Sequence, residues 1–344
     1  MSDIKWLTAY INAMAERGET AELLDLVKEL ETQLSDWQWT SYIESVWDYF
    51  NKLWSRLKWE VKMDVIPTGF TDIDDRIYWA ARGEIMTICA RTGWGKTTFW
   101  LSIALNMLEE HIVGFISLEM TKEDILDKVI SRECNIRHSA LVENNFSQED
   151  LSNIKLYWAK AKAKSEKMLM AYNCFDIEDI VATINEMADQ WAEAVFVDWL
   201  WMIDAPGASR PEKMNHIMQK LKAVAISKHI AIITMQQLNR QMDSIIRDEP
   251  YLYDIADWSA IEKISSPVLI LWKDKDNFSD ETFVSLFKTR RINHKLKEMC
   301  AEKANADWMK RQQLFFKTKI KDDLWHCSFK DCEIDCTPKN LECF

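Results

Sequence analysis

Ala90-Arg91-Thr92-Gly93-Trp94-Gly95-Lys96-Thr97-Thr98 is the stretch on which the reading of this chain turns. It follows a short apolar run, Ile85-Met86-Thr87-Ile88-Cys89, and opens onto Phe99-Trp100-Leu101-Ser102-Ile103-Ala104-Leu105. A strand, a tight loop and then a helix is the context that a phosphate-binding loop requires. Backbone N–H groups at a helix start point at the phosphates, and the helix dipole favours their negative charge. In such a loop Lys96 reaches the β- and γ-phosphates and the Thr97 hydroxyl sits on Mg²⁺. Where the pattern expects its first glycine, this chain has Ala90. The run from Ala90 to Thr98 is the expected ATP site.

Outward from that loop, the chain alternates strand and helix, the pattern of a mostly parallel sheet in an α/β fold. Apolar runs predict strands over 84–90, 112–118, 194–199, 230–236, 267–272 and 282–288. Helices are predicted over 95–110, 121–134, 147–165, 176–192 and 212–229. Beyond 289 the pattern weakens to a charged helical stretch, with Leu314-Phe315-Phe316 and Leu324-Trp325-His326-Cys327 as candidate short strands.

Upstream, the first 63 residues read as helices and carry no catalytic pattern. Stretches 4–16 and 20–34 are amphipathic and are separated at Arg17-Gly18-Glu19. A longer segment places Ile43, Val46, Trp47, Phe50, Leu53, Trp54 and Leu57 at helical spacing. That stripe must pack on the chain's own first helices or on a neighbouring subunit. Asp64-Val65-Ile66-Pro67-Thr68-Gly69 then breaks the helix. Two parts are expected: a helical region and linker helix over 1–63, and an ATPase domain over 64–344.

Ligands of open α/β sheets bind at the carboxyl ends of the strands, so the residue that ends each apolar run matters. The run Ile112–Leu118 ends at Glu119, and Ala194–Val197 ends at Asp198. The run Ile230–Met235 ends at Gln236-Gln237, and Phe283–Phe287 ends at Lys288-Thr289-Arg290-Arg291. Phosphoryl transfer to water needs a metal-holding acid, a residue that polarises the water, and positive charge for the transition state. Asp198 suits the acid that reaches Mg²⁺, Glu119 the general base, and Gln237 a reporter of the γ-phosphate.

Composition bounds these readings. The net charge of −12 argues against a generally basic nucleic-acid coater but leaves local DNA contacts open. Apolar residues make up 48% and charged ones 28%, which suits a globular domain, and no apolar run approaches a membrane span. The N-terminus lacks the layout of a secretion signal, so a cytoplasmic location without membrane contact is expected. Seventeen Trp stand beside only seven Gly. Of the eight cysteines, Cys327, Cys332, Cys336 and Cys343 cluster near His326, but their spacing favours reduced thiols over a zinc site.

The loop with alanine first, the Phe115-Ile116-Ser117-Leu118-Glu119-Met120 run and the Gln237-Leu238-Asn239-Arg240 run resemble the replicative helicases of the DnaB type. Ile66-Pro67-Thr68-Gly69-Phe70-Thr71-Asp72-Ile73-Asp74 is similar to that family's entry into its RecA-like ATPase domain, and Val197-Asp198-Trp199-Leu200 to its Walker B strand. The resemblance covers about residues 64–292. It implies a ring, a homo-hexamer, that uses ATP and Mg²⁺ to move along single-stranded DNA, with a primase or a helicase loader as partner. Lys288-x-Arg290 resembles the family's pair that acts on the nucleotide of the adjacent subunit. The short N-terminal region resembles phage or mobile-element members.

Departures are equally specific. The family's double glycine is replaced around Tyr78-Trp79-Ala80-Ala81, and its DNA-contacting loop reads Ala256-Asp257-Trp258-Ser259 without the usual arginine. Its glycine after the Lys-x-Arg pair is also absent, since Arg291-Ile292-Asn293-His294 follow. Two alternatives stand beside the helicase: a RecA/RadA-like recombination ATPase, and a scaffold or loader that binds nucleotide but hydrolyses it weakly.

Overall fold

Strands that alternate apolar residues toward both faces need helices on each side to keep them from water, and this chain is built so. The computed structural model describes residues 65–74, 80–239, 250–273, 281–288, 316–323 and 328–331, all within the unit Asp64–Phe344. The 43–57 stripe and the four-cysteine cluster lie outside the described residues. So does Arg290.

The described strands are β1 (Ile85–Ala90), β2 (Val113–Ser117), β3 (Met168–Tyr172), β4 (Ala194–Asp198), β5 (Ala231–Gln237), β6 (Val268–Trp272), β7 (Glu281–Lys288), β8 (Phe316–Asp323) and β9 (Ser328–Asp331). They form one sheet in the order β3-β2-β4-β5-β1-β6-β7-β8-β9. Pairing is parallel from β3 to β6 and antiparallel from β6 to β9. Besides the four-residue helix Thr71–Asp74, the described α-helices are α1 (Lys96–Met107), α2 (Lys122–Glu133), α3 (His138–Val142), α4 (Gln148–Ser165), α5 (Ile177–Asp189), α6 (Arg210–Lys228) and α7 (Trp258–Ile264).

On one face, Met86, Ile88, Phe115, Phe196, Ile233 and Met235 join α1 in a single core cluster. Helix α1 is buried almost all round, and the Trp100 ring lies 5.5 Å from Phe115 and 5.6 Å from Phe196. On the other face, Ile85, Ile116, Val195, Val197 and Ile232 meet α5 and α6. This two-sided burial explains why β1, β2, β4 and β5 read as unbroken apolar runs.

The Ile66–Asp74 segment clamps the outer side of α1. The Asp74 carboxylate accepts from Thr68 N–H at 2.9 Å, from the Thr68 hydroxyl at 2.8 Å and from Gly69 N–H at 2.8 Å. Asn106 of α1 donates to the Thr68 carbonyl at 2.9 Å. Gly69 has φ +78°, and a Cβ there would lie 2.5 Å from the Asn106 side chain, so this position takes glycine alone.

Three expectations change. β3 is absent from the sequence-based strands: Met168-Leu169-Met170-Ala171-Tyr172 is short and built largely of residues that favour helices, and pairing along β2 makes it a strand. In the tail the described strands are 316–323 and 328–331; the expected strand at 314–316 meets the first of them only at Phe316, and the one expected at 324–327 lies outside the described residues. The alternation Phe316-Lys317-Thr318-Lys319-Ile320-Lys321 carries too little apolar weight to announce a strand. The third change concerns direction: β7 runs antiparallel to β6, with Val268 opposite Lys288. Its carboxyl end therefore points away from the edge at which β1, β2, β4 and β5 finish.

Candidate nucleotide site

Four parallel neighbours, β2, β4, β5 and β1, end at one edge of the sheet, and the candidate residues collect there. The phosphate loop leaves β1 after Ala90 and enters α1 at Lys96. Gly93 and Gly95 both take the left-handed conformation, with φ of 82° and 81°. Nothing lies within 4 Å of a Cβ built on Gly93, so its need for glycine is conformational rather than steric. Trp94, between them, packs on two core clusters, and the Arg91 guanidinium lies 5.0 Å from its ring. The loop is thus anchored by its one bulky residue.

Lys96 is only 8% exposed, and its Nζ lies 3.5 Å from Asp198 Oδ1 and 5.0 Å from the centre of the Trp199 ring. Asp198 is 1% exposed. At 3.5 Å the two form an ion pair rather than a close hydrogen bond. Lys96 Nζ and both Asp198 oxygens have no hydrogen-bond partner among the described residues. Burial pushes the Asp198 carboxyl above the ordinary carboxylate range; Lys96 pulls it back down and Glu119 pushes it further up. A buried cation and carboxylate left without full hydrogen bonding are costly in a resting core. They fit a site built for a charged ligand.

Glu119 is held at the same edge by backbone chemistry. The Ser117 hydroxyl donates to the Met120 carbonyl at 2.8 Å and accepts from Met120 N–H at 3.2 Å, which folds a turn around Glu119. Leu118 N–H donates to the Asp198 carbonyl at 2.7 Å, tying that turn to β4. The Ser-Leu-Glu-Met run is therefore a device for presenting one exposed carboxylate beside the phosphate loop. From β5, Gln237 Nε2 donates to Thr92 Oγ1 at 3.2 Å, so the residue read as a phosphate reporter already touches the loop.

Together these residues line an open cleft of about 360 Å³ whose walls include Arg91 to Gly93, Gly95 to Thr98, Glu119 and Gln237. Asp198 lies beneath it, against Lys96. A triphosphate with its cation fits this set: Gly93 to Thr98 would cradle phosphate oxygens, Lys96 would contact them, and Thr97 and Asp198 would hold the metal. Among the described residues no cluster of three metal-binding side chains occurs. Mg²⁺ bound with a nucleotide needs none, because it takes phosphate oxygens and waters beside one or two protein ligands.

Lys128 of α2 and His138 of α3 also line the cleft, and sequence reasoning misses both. A single lysine or histidine in a helical stretch carries no local signal; only the fold of α2 and α3 over the loop brings them there. The His138 imidazole is pushed below its ordinary value, first by burial and then by Lys128. The structure also gives Trp199 and Gln236 a part that strand ends do not reveal. Trp199 Nε1 donates to Gln236 Oε1 at 3.2 Å, and Gln236 Nε2 donates to the Ala256 carbonyl at 2.9 Å. Of the expected pair Lys288 and Arg290, only Lys288 is in the described backbone, and the end of β7 places it away from this cleft.

Known proteins are similar to this chain. Curated relatives include a probable plasmid replicative DNA helicase of Chlamydia psittaci, 30% identical over 64% of this chain and 48% of the relative. Another is the replicative DNA helicase DnaC of Bacillus subtilis, 26% identical over 63% of this chain and 49% of the relative. The chain thus matches about half the length of these relatives. Among solved structures, an isolated ATPase domain superposes with a TM-score of 0.71 at 19% identity, over 85% of this chain and all of that one. A DnaB-like replicative helicase, studied with its primase interactions, gives 0.69 at 18% identity, over 96% of this chain and 77% of that one. These two establish the fold. A family model, the DnaB-like helicase C terminal domain, matches residues 65–322, and the chain belongs to that family.

Proposed function

We propose that this chain is an ATP-driven motor that moves along single-stranded DNA as a ring and separates duplex at a fork. One observation carries the reading: the unsatisfied Lys96–Asp198 pair lies under a cleft that Glu119 and Gln237 enter from two further strands. A mere nucleotide-holding fold needs the loop and its lysine. A hydrolase needs in addition a carboxylate placed to accept a proton from water, and Glu119 is exposed at the edge of that cleft. The relatives' names support the DNA-unwinding class, and the structural neighbour that interacts with primase supports a primase as candidate partner. A homo-hexamer and a loader belong to the same proposal.

In this mechanism Mg²⁺–ATP supplies the scissile phosphoanhydride and the charge that holds it. Lys96 turns its unused hydrogen-bonding capacity to the β- and γ-phosphates. Asp198 and Thr97 would hold the cation, which when bound would offset the charge of the phosphate oxygens. Glu119 takes a proton from the attacking water, and Gln237, through Thr92, transmits loss of the γ-phosphate to the loop.

The roles separate under mutation. Glu119→Gln is expected to bind Mg²⁺–ATP with near-normal affinity but to turn it over about 10²- to 10⁴-fold more slowly, since an amide accepts no proton. Asp198→Asn should instead raise the Mg²⁺ concentration needed for nucleotide binding. Equilibrium binding across a Mg²⁺ titration, beside steady-state turnover, distinguishes them; identical behaviour in both assays would refute the assignment.

The function itself is tested on a forked duplex with Mg²⁺ and ATP. Strand separation that needs hydrolysis is the expected result. ATP turnover stimulated by single-stranded DNA without strand separation would favour the recombination ATPase, and weak turnover indifferent to DNA would favour the scaffold.

A further inference from the structure

Beyond Asp198 the chain leaves the sheet edge in a short 3₁₀ turn, Leu200–Met202. Leu200 is fully buried and pins the turn, whereas Trp201 is 47% exposed and Met202 41% exposed. An indole left this open at a ligand-binding edge presents a large apolar face to whatever docks there. Trp191 is more exposed still, but it precedes β4 and so lies at the opposite edge of the sheet from the phosphate loop. Trp201 is also held: the Arg210 guanidinium lies 3.9 Å from the centre of its ring. Arg210 begins α6, and its Nε donates to Asp257 Oδ2 at 3.3 Å. Asp257 precedes α7 in a left-handed conformation with φ 58°. Three separate elements thus converge to fix one indole, with the cation stacked against it and much of the ring still in water.

The surrounding charge decides what this surface can take. Asp204 and Glu212 are exposed nearby in sequence, Asp204 is paired with Lys213 at 2.9 Å, and Asp257 offsets Arg210. Among the described residues of this turn and the start of α6, each cation is thus matched by an acid, and no surplus of positive charge remains to neutralise a row of phosphates. What the site offers is a flat, polarised aromatic face of fixed orientation, and that recognises another flat π system.

The same group is joined to the nucleotide cleft. Asp257 follows Ala256, whose N–H donates to the Gln237 carbonyl at 3.1 Å and whose carbonyl accepts from Gln236. Gln236 in turn accepts from Trp199, the ring that faces Lys96 at 5.0 Å. The platform and the phosphate lysine are linked by contacts without a gap.

We infer that Trp201, backed by Arg210 and Asp257, is a stacking platform for an unpaired base of single-stranded DNA. This rests on the motor reading above and deepens it, by assigning part of strand binding to base stacking on a named residue. Because stacking is not a phosphate contact, its share of the affinity does not follow counterion release.

The test uses the whole chain with Mg²⁺ and a non-hydrolysable ATP analogue, and fluorescence anisotropy of labelled oligothymidylate or the same oligomer made abasic. Wild type is expected to bind the intact strand about tenfold more tightly than the abasic one. Trp201→Ala should lose about tenfold on the intact strand, lose little on the abasic strand, and keep the wild-type dependence on salt. Trp201→Phe should recover most of the difference, with circular dichroism unchanged in both variants. Equal losses on both strands, or none on either, would overturn the platform, because a structural role does not discriminate bases from their absence. Wild type that binds strands but ignores base removal overturns the platform alone; wild type that binds no single strand overturns the motor reading with it.

Discussion

Lys96→Ala is expected to lower ATP hydrolysis by on the order of 10³-fold or more while the protein remains folded. Lys96 is buried, yet it makes no hydrogen bond among the described residues, so its removal breaks no network of the core. What it does hold is charge. Without the ammonium, the Asp198 carboxylate loses the cation that offsets its burial, and its affinity for protons rises further above the ordinary value. The sign of the consequence follows. A carboxyl whose folded pKa lies above its unfolded value favours folding in its protonated form, and that contribution is lost as pH rises from the unfolded value through the folded one. Lys96→Ala should therefore lose thermal stability relative to wild type as pH rises past the carboxylate range. Lys96→Ala combined with Asp198→Asn should lose that pH dependence. Turnover is read by phosphate release and stability by thermal melts across pH. Retention of near-wild-type turnover would remove the assignment of Ala90–Thr98 as the phosphate loop.

How much of the fold and site is legible in the sequence follows from where the determining interactions lie. The loop, Glu119, Asp198 and Gln237 are each set by the strand that precedes them, so a reading of apolar runs finds them. Their convergence needs only the parallel order β2-β4-β5-β1, which places four strand ends on one edge. Helix starts are equally local: Thr121 and Ser147 each close a capping box, with Asp124 and Asp150 respectively. What escapes depends on contacts distant in sequence. β3 exists through β2, and Lys128 and His138 reach the cleft only because α2 and α3 fold over it. Arg132, which donates to Asn106 Oδ1 at 2.6 Å and to the Ser102 carbonyl at 3.2 Å, helps dock α2 on α1 and has no local signature either. The direction of β7 is the sharpest case. An apolar run ending in Lys-x-Arg reads alike whether the strand runs with β6 or against it.

That direction bears on the last prediction, which concerns Lys288 and Arg290. Lys288 pairs with Val268, and Val268 pairs with Thr87 of β1, three residues before Ala90. The Lys288 backbone thus lies roughly 10 Å along the strands and roughly 10 Å across them from Ala90. β7 runs away from its own chain's cleft; action on the nucleotide of a neighbouring subunit is what the resemblance to the DnaB-type helicases implies for the pair, within the ring proposed above. A cation supplied in trans stabilises the transition-state charge and is worth about 10³–10⁵ in rate where it has been isolated. Arginine suits the role because its rigid fork holds two phosphate oxygens at once, so Arg290→Lys should not restore what Arg290→Ala loses. Mixing two inactive variants tests the geometry. Lys96→Ala subunits lack a working site but can donate Arg290; Arg290→Ala subunits keep a site but cannot donate. If the arginine acts in trans, assemblies containing both regain ATPase activity at junctions where an intact site meets an intact donor. Mixed assemblies that stay at the level of the parents, with both subunits shown to be present by native mass spectrometry, would place Arg290 on its own chain's chemistry or on DNA. The antiparallel course of β7 argues against the first of these, since the strand carries Lys288 away from the edge where its own chain gathers Lys96, Glu119 and Gln237.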